Sequence, residues 1–131
     1  MLNGKSFHVT FWDEGTVVGA TRLASVKKKS IEDFANFIVA HPPEGWQTQG
    51  DPETWPAQWA SEILPLANTA LTKVDIGEGT PAENQERTLQ CTWPVTISRD
   101  YSTWANKQAL NQLGKAGFRL AALVRTVMQG N

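Results

Sequence analysis

Two histidines, one cysteine and thirteen carboxylates are the side chains of this 131-residue chain best suited to hold a metal ion. His8 lies in the run Ser6-Phe7-His8-Val9-Thr10-Phe11, His41 just before Pro42, and Cys91 alone in the second half, with the carboxylates spread along the chain. Zinc takes nitrogen, sulfur and carboxylate oxygen, usually four donors in all. A bound metal lowers the pKa of its water, and two or more metals can stabilise the attacking and leaving oxygens of a displacement together. The supply of donors is small. No H-E-x-x-H and no paired C-x-x-C occurs, so even one catalytic zinc calls for a carboxylate-heavy site. A single thiol excludes an internal disulfide and a multi-cysteine zinc site, and Cys91 reads as a small buried residue rather than a nucleophile. No serine–histidine–acid arrangement can be argued from the spacing.

The elements that must position these groups are mostly helical. Phe7, Val9 and Phe11 alternate with His8 and Thr10, which predicts a short N-terminal strand over residues 6–11. Asp13 could cap a helix running to about Ser25, and Lys27-Lys28-Lys29 would then be a solvated helix end, where cations are favoured. Ser30 with Asp33 resembles a capping box, and Phe34, Phe37 and Ile38 repeat at helical spacing, so residues 31–40 read as an amphipathic helix. His41-Pro42-Pro43 stops it and leaves His41 as a surface residue at the helix end. Residues 41–50 read as a loop.

Asp51-Pro52-Glu53 is a strong helix start: a capping side chain, proline in the first turn and an acid beside it. Trp55, Trp59, Ile63, Leu66, Ala70 and Val74 form one face, and Pro65 should kink or split the helix. Residues 75–98, with Gly77, Gly79 and Pro81, read as a surface loop, with a short extended piece within Cys91 to Ile97. Asp100 opens the longest helix, ending near Gln129, with an apolar face through Leu110, Leu113, Leu120, Val124 and Val127. Gly114 and Gly117 in its interior imply that another helix packs closely there, because each costs about 1 kcal/mol against alanine.

The bulk properties narrow the function. Hydrophobic residues make up 40% and charged residues 19% of the chain, and the formal net charge is −1. That composition suits one globular domain over residues 1–131. It carries no basic excess of the kind that duplex binding requires. No apolar run approaches the roughly 20 residues of a membrane span, and the first residues lack the apolar core of a signal peptide. Six tryptophans suggest dense aromatic packing, partner surface, or faces on which bases could stack; Trp46 in the loop is the candidate substrate-binding tryptophan, whereas Trp12 reads as packing.

Two segments resemble one family. Asp51-Pro52-Glu53-Thr54-Trp55 through Trp59-Ala60-Ser61-Glu62 is similar to the D-P-x-x-W-A-x-E-S helix of the S-one/P-one nucleases, the zinc-dependent, mung-bean-nuclease-like enzymes. Ile63 stands where that family usually has serine. Gln112-Leu113-Gly114-Lys115-Ala116-Gly117-Phe118-Arg119-Leu120-Ala121-Ala122-Leu123 is similar to the family's closing helix, Q-L-A-K-A-G-x-R-L-A-x-L-L-N. Gly114 replaces an alanine, and Arg125 stands near the place of the final asparagine. Near the N-terminus, Trp12-Asp13 matches the end of the family's N-L-H-x-x-W-D, whose histidine and aspartate bind zinc.

The resemblance implies an all-α helical bundle of the phospholipase C/P-one nuclease type, with a short N-terminal strand. It implies zinc as cofactor and endonucleolytic hydrolysis of single-stranded DNA and RNA to 5′-phosphate products. It carries Asp13 over as a metal ligand. His8 admits two registers. In one it is the zinc histidine, displaced by an inserted residue, because His8 and Asp13 are five apart where the family spacing is four. In the other, Asn3 to Phe11 match the preceding strand and the zinc histidine is absent, which the Phe7-Val9-Phe11 alternation favours. The match covers almost the whole chain but only the C-terminal half of a typical member. The family's three-zinc cluster draws on an N-terminal tryptophan and on several histidines and aspartates, most of which lie upstream of the matched region. The expectation is therefore a partial nuclease domain with weak or no activity alone. The alternatives are a non-catalytic helical remnant or interaction module, and a subunit whose site a partner chain completes. Family members are commonly secreted or periplasmic.

Overall fold

The computed structural model describes residues 15–24, 30–83 and 89–129. The strand expected at residues 6–11, with His8, the candidate ligand Asp13, Trp12 and the run Lys27–Lys29 all lie outside them. Among the described residues the chain is mostly helical. It has four α-helices, α1 (Thr16–Leu23), α2 (Ile31–Ala40), α3 (Trp55–Thr72) and α4 (Tyr101–Gln129), with a β-ribbon between the last two.

Local chemistry sets the helix ends. The Ser30 hydroxyl accepts from the Asp33 amide at 3.4 Å and starts α2. The Asp51 carboxylate accepts from the Glu53 amide at 3.0 Å, and Pro52–Thr54 form a 3₁₀ turn that runs into α3. Both caps satisfy amides that the first helical turn leaves unpaired. Pro65 does not split α3, which runs unbroken through it. The proline withholds one amide from the Ser61 carbonyl, and helical pairing resumes in the next turn.

The tightest packing joins α1 to the first third of α4. Thr16, Ala20, Tyr101 and Ala105 are buried there. Gly19 makes the approach possible: a side chain at that position would collide with the Asn106 amide group. Pro43 and Ile38 pack against Gly114, where an added Cβ would lie 3.0 Å from Pro43 Cγ. The close neighbour at Gly114 is thus Pro43, just past the end of α2, with helix residue Ile38 only in ordinary contact, rather than the expected closely packed helix, and at Gly117 nothing lies within 4 Å of a Cβ built there.

In place of the expected surface loop, residues within 74–83 and 89–97 form paired strands, and the short extended piece expected within Cys91 to Ile97 falls in them. β1 (Val74–Ile76) pairs antiparallel with β4 (Val95–Ile97), and β2 (Thr80–Glu83) with β3 (Leu89–Thr92). The two ladders follow one another along a single ribbon, with the Gly77 amide donating to the Pro94 carbonyl at 2.9 Å between them. The Trp93 indole lies against Gly79, where it leaves no room for a side chain. Glycines and prolines in the ribbon hid its period-two pattern. Its base is tied by the Lys73 ammonium, 2.6 Å from the Asp100 carboxylate. That hydrogen bond, with a second from Ser98, holds the Asp100 carboxyl below the usual carboxylate range. Cys91, expected to be buried, is exposed on β3. No helix among the described residues is long and apolar enough to cross a membrane.

Candidate functional site

The segment from His41 to Gly50 is a strap that ties α3 to α4. Two glycines let it turn: Gly45 and Gly50 hold φ of 68° and 81°, a region that strains other residues. On the α3 side, the Trp59 indole donates to the Thr48 hydroxyl at 2.6 Å, the Gln58 amide to the Gln49 carbonyl at 3.1 Å, and the Trp55 indole to the Gly50 carbonyl at 3.2 Å. On the α4 side, Arg119 donates through Nε to the Trp46 carbonyl at 3.1 Å and through a terminal nitrogen to the Gly45 carbonyl at 3.3 Å.

Arg119 also closes the gap between the helices. Its guanidinium lies 2.6 and 2.8 Å from the two oxygens of Glu62 on α3, and its carbon is 5.5 Å from the Trp59 ring centre. Lys115, one turn earlier, reaches the same carboxylate at 3.3 Å. The Arg119 hydrogen bonds hold the Glu62 carboxyl below its ordinary value; desolvation opposes them, and Lys115 adds to them. Arg119 is 7% exposed, and all its contacts are to groups of the fold. The knot is a structural lock. A guanidinium shared between a carboxylate and two carbonyls is a hydrogen-bonding arrangement that a lysine cannot reproduce.

The sequence-derived site residues fall in different places. Trp46 is half-buried, and its indole stacks on Phe118 with centroids 4.8 Å apart and planes 29° apart, so Phe118 covers one of its faces. Asp13 and His8 lie outside the described residues. His41 sits at the end of α2 as expected: Nδ1 is 2.9 Å from the Phe37 carbonyl, and its ring stacks on Phe37 at 4.4 Å. Among the described residues no three of His, Cys, Asp and Glu come together as a metal ligand set. The described donors thus do not fit a three-zinc cluster, and no catalytic step is assigned to them. What sequence reasoning missed was the knot. Its signal was Lys115 and Arg119 four apart on one helix, with an acid, Glu62, one turn after Trp59 on the other.

A cleft of about 490 Å³ opens between α2 and α4, on the other side of Gly114 from the knot, with Phe37, Ile38 and Leu110 in its lining. A smaller one of about 270 Å³ lies between α3 and α4 beside Trp59 and Arg119.

The fold and the lock define a helical domain whose two longest helices are joined by a strap and an ion-pair knot. No family model matches the chain, and no curated protein or solved structure was found that is similar to it.

Proposed function

We propose that this chain is the scaffold portion of a zinc-dependent nuclease of the S-one/P-one type. In this reading, hydrolysis of single-stranded DNA and RNA belongs to an assembly in which further residues complete the metal centre. One observation supports it above others. The two segments that carry the resemblance meet in space, with Trp59 and Glu62 of the first locked to Lys115 and Arg119 of the second. Motif residues that converge in one knot around the buried Arg119 are what a shared helical bundle of the phospholipase C/P-one nuclease type would require.

In the complete enzyme, zinc would supply a lowered-pKa water and Lewis acidity at the phosphoryl oxygens. Asp13 is the ligand this chain would contribute, and His8 the second candidate. Trp46 would offer an unpaired base the indole face opposite Phe118, stacking being tolerant of base identity. A second reading, an interaction module, draws on apolar side chains left at the surface of the two longest helices: Ile63, Leu64 and Leu71 on α3, and Leu120, Val127 and Met128 on α4.

Complementation tests the reading. The purified chain is incubated with single-stranded DNA and zinc at mildly acidic and neutral pH, alone and mixed with the N-terminal half of a family nuclease carrying the missing ligands. The expected result is no turnover alone and turnover in the mixture, abolished by chelator and by Asp13→Asn. A mixture whose two pieces associate yet stay inactive would overturn the proposal.

A further inference from the structure

We infer that the cleft between α2 and α4 is a seat for a single nucleotide, with the base held inside and the phosphate at its rim. Its volume of about 490 Å³ is within the ordinary range for small-molecule sites. The inner surface is apolar, from Ile38, Pro43 and Leu110, and the stacked rings of Phe37 and His41 form an aromatic side. A planar heterocycle fits such a surface better than a flexible polar ligand does, because it buries its faces and keeps polar atoms only at its edge.

The polar groups suit that edge. Gln108 and Asn111 both line the cleft, three residues apart on α4 and hence on one face of the helix. Each presents an amide donor and an amide acceptor, the pair that reads the hydrogen-bonding edge of a purine. The His41 Nδ1 is engaged by the Phe37 carbonyl, which leaves Nε2 as the ring's other hydrogen-bonding atom. Lys107 lies next to Gln108 at the rim, is exposed, and forms no ion pair among the described residues. It supplies the cation a phosphate needs. Glu44, also at the rim, disfavours phosphate on its own side and so sets the direction in which a nucleotide lies.

The proposal rests on the reading of the chain as part of a single-strand nuclease, but its test needs neither zinc nor turnover. Backbone amide NMR shifts of the full chain are followed during titration with adenosine 5′-monophosphate, adenosine, sodium phosphate and octanoate. The expected result is saturable shifting of residues 37–44 and 107–114 by the nucleotide. Asn111→Leu and Gln108→Leu, both compatible with the helix, each weaken it about tenfold. Lys107→Ala weakens the monophosphate and leaves adenosine unchanged. Three outcomes overturn the proposal: shifts that fall elsewhere or are absent, octanoate bound in preference to the nucleotide, or affinity unchanged in both leucine variants. Nucleotide seated in a chain that fails complementation keeps the cleft and removes the nuclease. Complementation with no shift in the cleft does the reverse.

Discussion

Arg119 carries more of the tertiary structure than any other charged side chain among the described residues. It is 7% exposed and satisfies a carboxylate on α3 and two carbonyls of the strap at once. Hydrogen bonds to charged groups contribute about 1.5–3 kcal/mol each when removed, so Arg119→Met should destabilise the chain by about 2 kcal/mol, discounted because Glu62 can rehydrate. Urea unfolding reads this as a lower midpoint at unchanged slope. Arg119→Lys should recover the Glu62 contact and not the strap, and so fall between the two. A loss below about 0.5 kcal/mol for Arg119→Met, the size of an ordinary surface change, would show the knot to be incidental. Glu62 adds a pH dependence of definite sign. Its carboxyl titrates lower in the folded chain than its ordinary value of 4.5. Its contribution is therefore present above that pH and lost as pH falls through the folded pKa. Glu62→Gln should be less stable than the parent at neutral pH, and the gap should close under acid. A constant gap across the acid limb would contradict the assignment.

At the scale of elements, helices are held by small residues where they cross and left open where they do not. Gly117 meets no neighbour within 4 Å, so Gly117→Ala should stabilise by about 1 kcal/mol through helix propensity alone. Gly114→Ala has the same propensity gain but presses on Pro43, and thermal unfolding should place it well below Gly117→Ala. Gly19→Ala should be net destabilising, by about 1 kcal/mol once overpacking exceeds the propensity gain. Asn106→Ala should relieve it, since Asn106 is the group in the way. The ends of α2 and α3 were legible from sequence because Ser30 with Asp33, and Asp51 with Pro52, are signals confined to a few neighbours. The ribbon was legible only as a short extended piece within Cys91 to Ile97, because its pairing is non-local, Val74 with Ile97 and Thr80 with Thr92, and Gly77, Gly79, Pro81 and Pro94 mask the alternation. The knot was half legible. Both its segments could be picked out, but which side chains meet depends on the path of the strap, set by positive φ at Gly45 and Gly50.

At the scale of the whole molecule, burial among the described residues is concentrated at the α1–α4 crossing and around Arg119 and Trp55. The far end of α4 keeps Leu120, Val127 and Met128 at 62–82% exposure. Contiguous exposed apolar faces of this kind mark places where further protein can dock, which is what the proposed scaffold role expects of this end of α4. The donor inventory points the same way, with two histidines and one cysteine in the entire sequence. The direct measurement is elemental analysis of zinc in the purified, dialysed chain. A scaffold without a complete centre retains well under one zinc per chain, with no thermal shift on adding metal. One or more tightly held zinc ions per chain, lost in Asp13→Asn, would contradict it.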